Sequence, residues 1–189
     1  MQAIDNALLG WLVQPAQARP AILTSLRIVT ELGSWWFTLL TTAAVALMLL
    51  AKGERRRSAA LFAVVLFGRL SVDLLKLWFD RARPTLVDYD VVTHSVSFPS
   101  GHAGNSAITF LAIALIAGPF FRNRNAVCAG AAALILAVGL TRPMLGVHWP
   151  TDVLAGWAWG TAWTLAWTQL LGQWMGGSRT AGCPVPFRR

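Results

Sequence analysis

The chain has 189 residues, of which 56% are hydrophobic and only 13% charged, with ten Trp and a mean hydropathy of +0.54. A soluble domain carries about 25% charged residues, so this balance excludes an ordinary water-soluble fold and points to one integral membrane domain. The net charge of +8 does not describe a nucleic-acid surface, because the basic residues fall into short hydrophilic clusters at 52–57, at 122–124 and at 179–189, whereas nucleic acid requires a contiguous basic face.

In chain order, residues 1–31 do not read as a span. Asp5, Pro15, Arg19, Pro20, Arg27 and Glu31 interrupt them, while Ile4, Leu8, Trp11 and Leu12 recur at helical spacing. The reading is one or two short amphipathic helices in the outer interface. A tilted sixth span is the alternative, opposed by the cost of burying Arg19. The N-terminus lacks a basic segment followed by an apolar run, so no cleaved signal peptide is expected.

Five segments approach the ~20 apolar residues that a spanning helix needs: residues 34–51, 58–79, from just after 101 to near 121, 126–140 and 151–171. The expected fold is all-α, a polytopic transmembrane bundle of five spans plus N-terminal interfacial helices, or six spans. The positive-inside rule puts the basic loops and the tail in the cytoplasm. Residues 80–99 and 141–150 then lie on the opposite face, periplasmic for a bacterial inner membrane. Trp35, Trp36, Trp78 and Trp149 are expected to form an aromatic belt there. The domain reading is an interfacial segment 1–31, a membrane domain 32–175 and a basic cytoplasmic tail 176–189.

In the last span, Gly156 and Gly160 form a small-xxx-small pair for close helix approach, and the stripe Trp159, Trp163 and Trp167 reads as lipid-facing or core packing. Cys128 lies in an apolar run and Cys183 in the basic tail, so a cytoplasmic tail argues against a structural disulfide.

Three stretches carry polar residues that an ordinary span does not need. In "LFGRLSVDLLKLWFDRARPT", Arg69, Asp73, Lys76 and Asp80 recur at spacings of four, three and four, which puts them on one helix stripe. A self-paired structural stripe accounts for Arg69 and Asp73. It accounts poorly for Lys76, Arg81 and Arg83, whose surplus positive charge at the outer end of the helix marks an anion site. In "SFPSGHAGNSAITF", Ser100 reads as an N-cap, the helix start offers backbone N–H groups to an anion, and Gly101 lets an oxyanion approach. Alone, this stretch is equally an ordinary capped helix with His102 at the interface. His94, in the preceding loop, reads as solvated. In "LTRPMLGVHWPTDVLAGW", Arg142 is followed by His148 and Asp152, with Pro150 at a helix start. Asp152 can reach back to orient His148 as a nucleophile or base requires, or it can serve the helix dipole alone. The three stretches land on one side of the membrane. Pooled, they form a phosphate cradle with a nucleophile and a proton donor. Two His and one Asp without Cys do not make a typical zinc site, so no metal or cofactor is expected.

The segments "KLWFDRARP" (76–84), "PSGH" (99–102) and "TRPMLGVHWPTD" (141–152) resemble the three signature motifs of the type 2 phosphatidic acid phosphatase, or lipid phosphate phosphatase, superfamily, in order and with the right internal spacing. The resemblance covers roughly residues 34–172. Thr141 stands where the family commonly has Ser and keeps the hydroxyl. The resemblance implies that Lys76, Arg83 and Arg142 hold the phosphate oxygens, with Ser100 and the Gly101 backbone adding hydrogen bonds. It implies that His148 attacks phosphorus, Asp152 orients His148, and His102 protonates the leaving oxygen, without a metal. The implied substrate is a lipid phosphate or diphosphate in the bilayer, of the undecaprenyl diphosphate, phosphatidic acid or phosphatidylglycerol phosphate type. A phosphotransferase using the same phosphohistidine differs in its products. A non-catalytic lipid-binding or transport protein would need neither the nucleophile nor its Asp.

Overall fold

The computed structural model describes residues 2–85 and 96–175. The loop around Asp88 and His94, the basic tail and Cys183 lie outside the described residues. Within them every regular element is a helix: α1 (Gln2–Gln17), α2 (Pro20–Glu31), α3 (Trp35–Ala51), α4 (Arg55–Lys76), α5 (Gly101–Ala112), α6 (Arg124–Met144) and α7 (Pro150–Gly172). Helix α5 runs on through a π-helical turn (Ile113–Ala117) and a 3-10 turn (Gly118–Phe120).

Local chemistry sets the helix ends. The Ser34 hydroxyl accepts from Phe37 N to cap α3, and the Asn123 side chain accepts from Ala126 N to cap α6. Pro20 and Pro150 stand at the first helical positions of α2 and α7, where a missing N–H costs nothing. Gly146 closes α6 with φ of 76°, a left-handed conformation that glycine adopts without strain. The reversal brings residues 147–149 back across the end of α6, and Val147 N donates to Arg142 O at 3.1 Å.

Helix α5 is the axis of the bundle. Of its apolar stretch 78% is buried, against 39% for α4 and 33% for α6. It meets α7 through glycines. A Cβ on Gly156 would stand 2.7 Å from Ser100 O, and one on Gly160 would stand 2.6 Å from Gly104 O, so the backbones themselves touch. That approach lets Ser100 N donate to Asp152 O at 3.0 Å, locking the start of α5 to the start of α7. Leu49, Leu61, Val65, Val72, Ile108 and Ile116 join α3, α4 and α5 in one core. Large apolar side chains such as Leu40, Leu47, Phe67, Leu70 and Leu154 face outward, as a bilayer requires and water would penalise.

Three helical stretches are long and apolar enough to cross a membrane: α4, α5 with its continuation, and α6. Counting α2 and α3, bent by 47°, as one broken span makes four. The sequence reading gave five. Helix α3 alone has 17 residues, about 26 Å of helix against a hydrocarbon core of about 30 Å. Helix α7, with 23 residues, is long enough, but its Trp, Thr, Gly and Gln dilute its apolar character. The aromatic belt also needs one correction. Trp35, Trp36 and Trp78 are exposed, but Trp149 is buried and its Nε1 donates to Ala82 O at 2.9 Å. Trp163 Nε1 donates to Val64 O and Trp159 Nε1 to Ser71 Oγ, so these two tryptophans pack against α4, while Trp167 is exposed and meets the Trp163 ring.

The N-terminal helices are more tightly bound than an interfacial segment requires. Leu9 and Val13 of α1 pack on Trp149, and Asp5 is fully buried.

Candidate active site

Alternate helices run in opposite directions, so the end of α4, the start of α5, the end of α6 and the start of α7 meet at one end of the bundle. All eight residues named from sequence for the site lie at that end: Lys76 closes α4, Ser100, Gly101 and His102 open α5, Arg142 sits in the last turn of α6, His148 precedes α7, and Asp152 lies in its first turn. Arg83 lies in the extended segment after α4. That segment is pinned by Trp149 Nε1 to Ala82 O and by Ser97 N to Arg81 O at 2.8 Å.

His148 is almost entirely buried. Its Nδ1 lies 3.4 Å from Asp152 Oδ2, and its Nε2 lies 3.2 Å from Arg83 Nη1. An arginine can only donate, so Nε2 carries the lone pair and Nδ1 carries the proton, which it directs at Asp152. Burial pushes the imidazole down to about 3 from its ordinary 6.5, and the Arg142 and Arg83 charges push the same way. The hydrogen bond and charge of Asp152 pull it up, but less strongly. The ring is therefore a neutral base with its free nitrogen turned toward the cations.

Asp152 is saturated. Its Oδ2 accepts from Ser97 Oγ at 2.5 Å and Trp149 N at 3.0 Å, and its Oδ1 accepts from Arg81 Nη1 at 2.6 Å. Arg81 Nη2 reaches Asp5 Oδ2 at 2.6 Å, and Asp5 also accepts from Thr151 N and Thr151 Oγ1. The run Asp5, Arg81, Asp152, His148 is thus continuous, with both carboxylates fully buried.

The other side of the site is open. Arg142 Nη1 donates to Thr30 Oγ1 at 2.8 Å, while its Nε is buried without a partner. Ser100 occupies the N-cap position, yet its hydroxyl caps nothing and is buried without a partner, which corrects its reading as a capping side chain. Lys76 Nζ donates to Val96 O at 3.2 Å. A Cβ on Gly101 would stand 3.6 Å from Lys76 Cε, so that cation flanks the helix start. His102 feels the charges of Arg142, His148, Arg83 and Arg69 and sits beside Gly33 at the bend between α2 and α3. Among the described residues no three His, Cys, Asp or Glu side chains group as a metal site would.

Sequence reasoning missed Asp5, Thr30, Ser97 and Thr151, and counted Arg81 as surplus positive charge. Its charge is instead matched by Asp5 and Asp152. Asp5 carried a signal, a lone acid early in an apolar helix. Ser97 and Thr151 carried none.

The fold and the site define a helical membrane protein that gathers cations and two imidazoles at one end of its bundle. Residues 57–175 match the family model described as PAP2 superfamily, and the chain belongs to that superfamily. Over 112 residues it is 39% identical to a lipid A 1-phosphatase of Rhizobium johnstonii, covering 54% of this chain and 43% of that protein. Over 108 residues it is 38% identical to phosphatidylglycerophosphatase B of Bacillus subtilis, covering 53% and 52%. The chain thus spans about half the length of the curated relatives it matches. Its fold resembles the crystal structure of a transmembrane PAP2-type phosphatidylglycerolphosphate phosphatase from Bacillus subtilis, with a TM-score of 0.84 and 27% identity over 91% of this chain and 86% of that one. Aquifex aeolicus LpxE shares the fold at a TM-score of 0.66 and 21% identity, over 86% and 93%.

Proposed function

We propose that this chain hydrolyses a membrane lipid phosphate or diphosphate through a phosphohistidine on His148, without a metal. The observation that carries the reading is the orientation of His148: Nδ1 on a saturated Asp152 and Nε2 turned toward the cations. Phosphate oxygens are held by Lys76, Arg83, Arg142, the Ser100 hydroxyl and the Gly101 N–H, which supply the positive charge that a metal provides elsewhere. The Nε2 lone pair attacks phosphorus, the bond to the lipid oxygen breaks, and protonated His102 gives that oxygen its proton. Asp152 stabilises the cationic His148. His102, now neutral, takes a proton from water as the water attacks phosphorus and the N–P bond breaks.

The placement of the basic loops supports a site on the periplasmic face of the inner membrane, where a headgroup reacts while its tail stays in lipid. In this reading the catalytic unit is 32–175, and residues 1–31 lie in the outer interface and brace Asp152. The relatives' names support a phosphorylated membrane lipid as substrate. Undecaprenyl diphosphate, phosphatidic acid, phosphatidylglycerol phosphate and lipid A 1-phosphate form the test set. The experiment is phosphate release from this panel by the purified chain in detergent with excess EDTA. Release from at least one lipid, blocked by vanadate, is expected; no release from any, or release abolished by EDTA, overturns the proposal.

A further inference from the structure

Below the site, toward the middle of the bundle, lies a group of polar side chains with no part in the reaction above. Arg69 shares one face of α4 with Val65, Val72 and Lys76, at spacings of four, three and four. Val65 and Val72 pack in the core with Ile108 and Ala112 of α5, so that face looks into the bundle. Arg69 Nη1 is buried without a hydrogen-bond partner. Asp73, one turn on, is exposed and, among the described residues, forms no ion pair with Arg69. On α5, Asn105 and Thr109 follow His102 at three and seven residues, on the same face. They are 8% and 1% exposed, and Asn105 Oδ1 and Thr109 Oγ1 also lack partners. The charge of Arg69 acts on His102, which ties the group to the catalytic end.

Arg69 is half-buried, and its buried Nη1 without a hydrogen bond implies a partner, as do the other buried polar atoms that lack one. We infer that Arg69 and Thr109 form a second subsite that donates hydrogen bonds to the acyl carbonyls of the lipid whose phosphate sits at Lys76. This rests on the proposed lipid phosphatase activity and deepens it. Arg69 precedes Lys76 by seven residues, about 10 Å along the helix. The second phosphate of a diphosphate shares one bridging oxygen with the first and does not span two turns of helix. Ester or amide carbonyls of a lipid phosphate, set several bonds below phosphorus, lie at the right depth. Arg69 and the Thr109 hydroxyl can donate to them, and a polyprenyl chain offers no acceptor there.

The test compares a diacylglycerol phosphate with its diether analogue, which lacks only the carbonyls, in detergent with the full chain. The native protein should favour the diester by at least about tenfold in kcat/KM, the scale of one charge-assisted hydrogen bond. Arg69→Leu should bring the ratio near one, and taking the ratio within each variant cancels any change from the lost charge near His102. Thr109→Val, nearly isosteric, should lower the ratio severalfold and serves if Arg69→Leu does not fold. Equal native rates, or a ratio that survives both substitutions, overturns the subsite. Buried water in place of a ligand would give that same surviving ratio or slow both lipids equally, and counts against it. Phosphate release from neither lipid counts against the activity; the subsite is then read from the difference in thermal stabilisation by the two lipids.

Discussion

The two sides of the catalytic end are built on opposite principles. Around Asp152 the buried polar atoms are matched: the carboxylate takes hydrogen bonds from Arg81, Ser97 and Trp149 N and faces His148, and Arg81 is matched in turn by Asp5. Around Ser100 and Arg142 they are not: a hydroxyl and a guanidinium Nε are buried with nothing to bond. A buried polar atom without a partner costs about 1–3 kcal/mol. The saturated side therefore fixes geometry, and the unsaturated side marks where a ligand completes the structure.

The contrast breaks hardest at Arg81. Arg81→Leu leaves Asp5 and Asp152, both fully buried, without their shared cation, and stranding a buried charge costs about 3–5 kcal/mol. Thermal unfolding in detergent should show a loss on that scale. Arg81→Lys keeps the charge but not the two-pronged reach, and should lower kcat about tenfold or more with KM nearly unchanged. Native stability in Arg81→Leu would mean that the network does not brace Asp152.

Ser100→Ala tests the open side. A capping serine costs about 1 kcal/mol when replaced by alanine. The Ser100 hydroxyl caps nothing, so the melting temperature should stay or rise while kcat/KM falls roughly tenfold, one lost hydrogen bond to a charged group. A destabilised variant of native activity would make the hydroxyl structural.

The smallest effect concerns protonation. With the His148 imidazole held at about 3, its ring nitrogens should report a neutral ring by 15N NMR from pH 8 down to pH 5. The folded pKa is depressed, so the unfolded chain takes the proton first as pH falls through about 6.5, the ordinary value. This residue's contribution to stability is thus complete above that pH and shrinks below it. A midpoint near 6.5 in the folded protein would mean that the ring is hydrated.

The candidate site was legible because rare residues recur there at fixed spacings along the chain. Lys76, Arg83, His102, Arg142, His148 and Asp152 stand out against apolar spans, and helix direction alone carries them to one end. The bracing residues were not legible, because each is ordinary in its local setting. Ser97 sits in a loop, Thr151 in a first turn, and Asp5 and Thr30 in segments that read as interfacial. What joins them to the site is contact between elements distant in sequence, as with Asp5 and Thr151, which periodicity does not encode. The spans were legible as helices, all five of them, but only α4, α5 and α6 are long and apolar enough by themselves to cross a membrane, while α3 is shorter and α7 more polar.

The most direct test of the central claim is to quench turnover of a 32P-labelled lipid phosphate rapidly in alkali and locate the label. The account predicts an alkali-stable, acid-labile phosphoryl group on the peptide bearing His148, absent from His148→Asn, which should also release no phosphate. Label on another residue, or phosphate release that persists in His148→Asn, would contradict it.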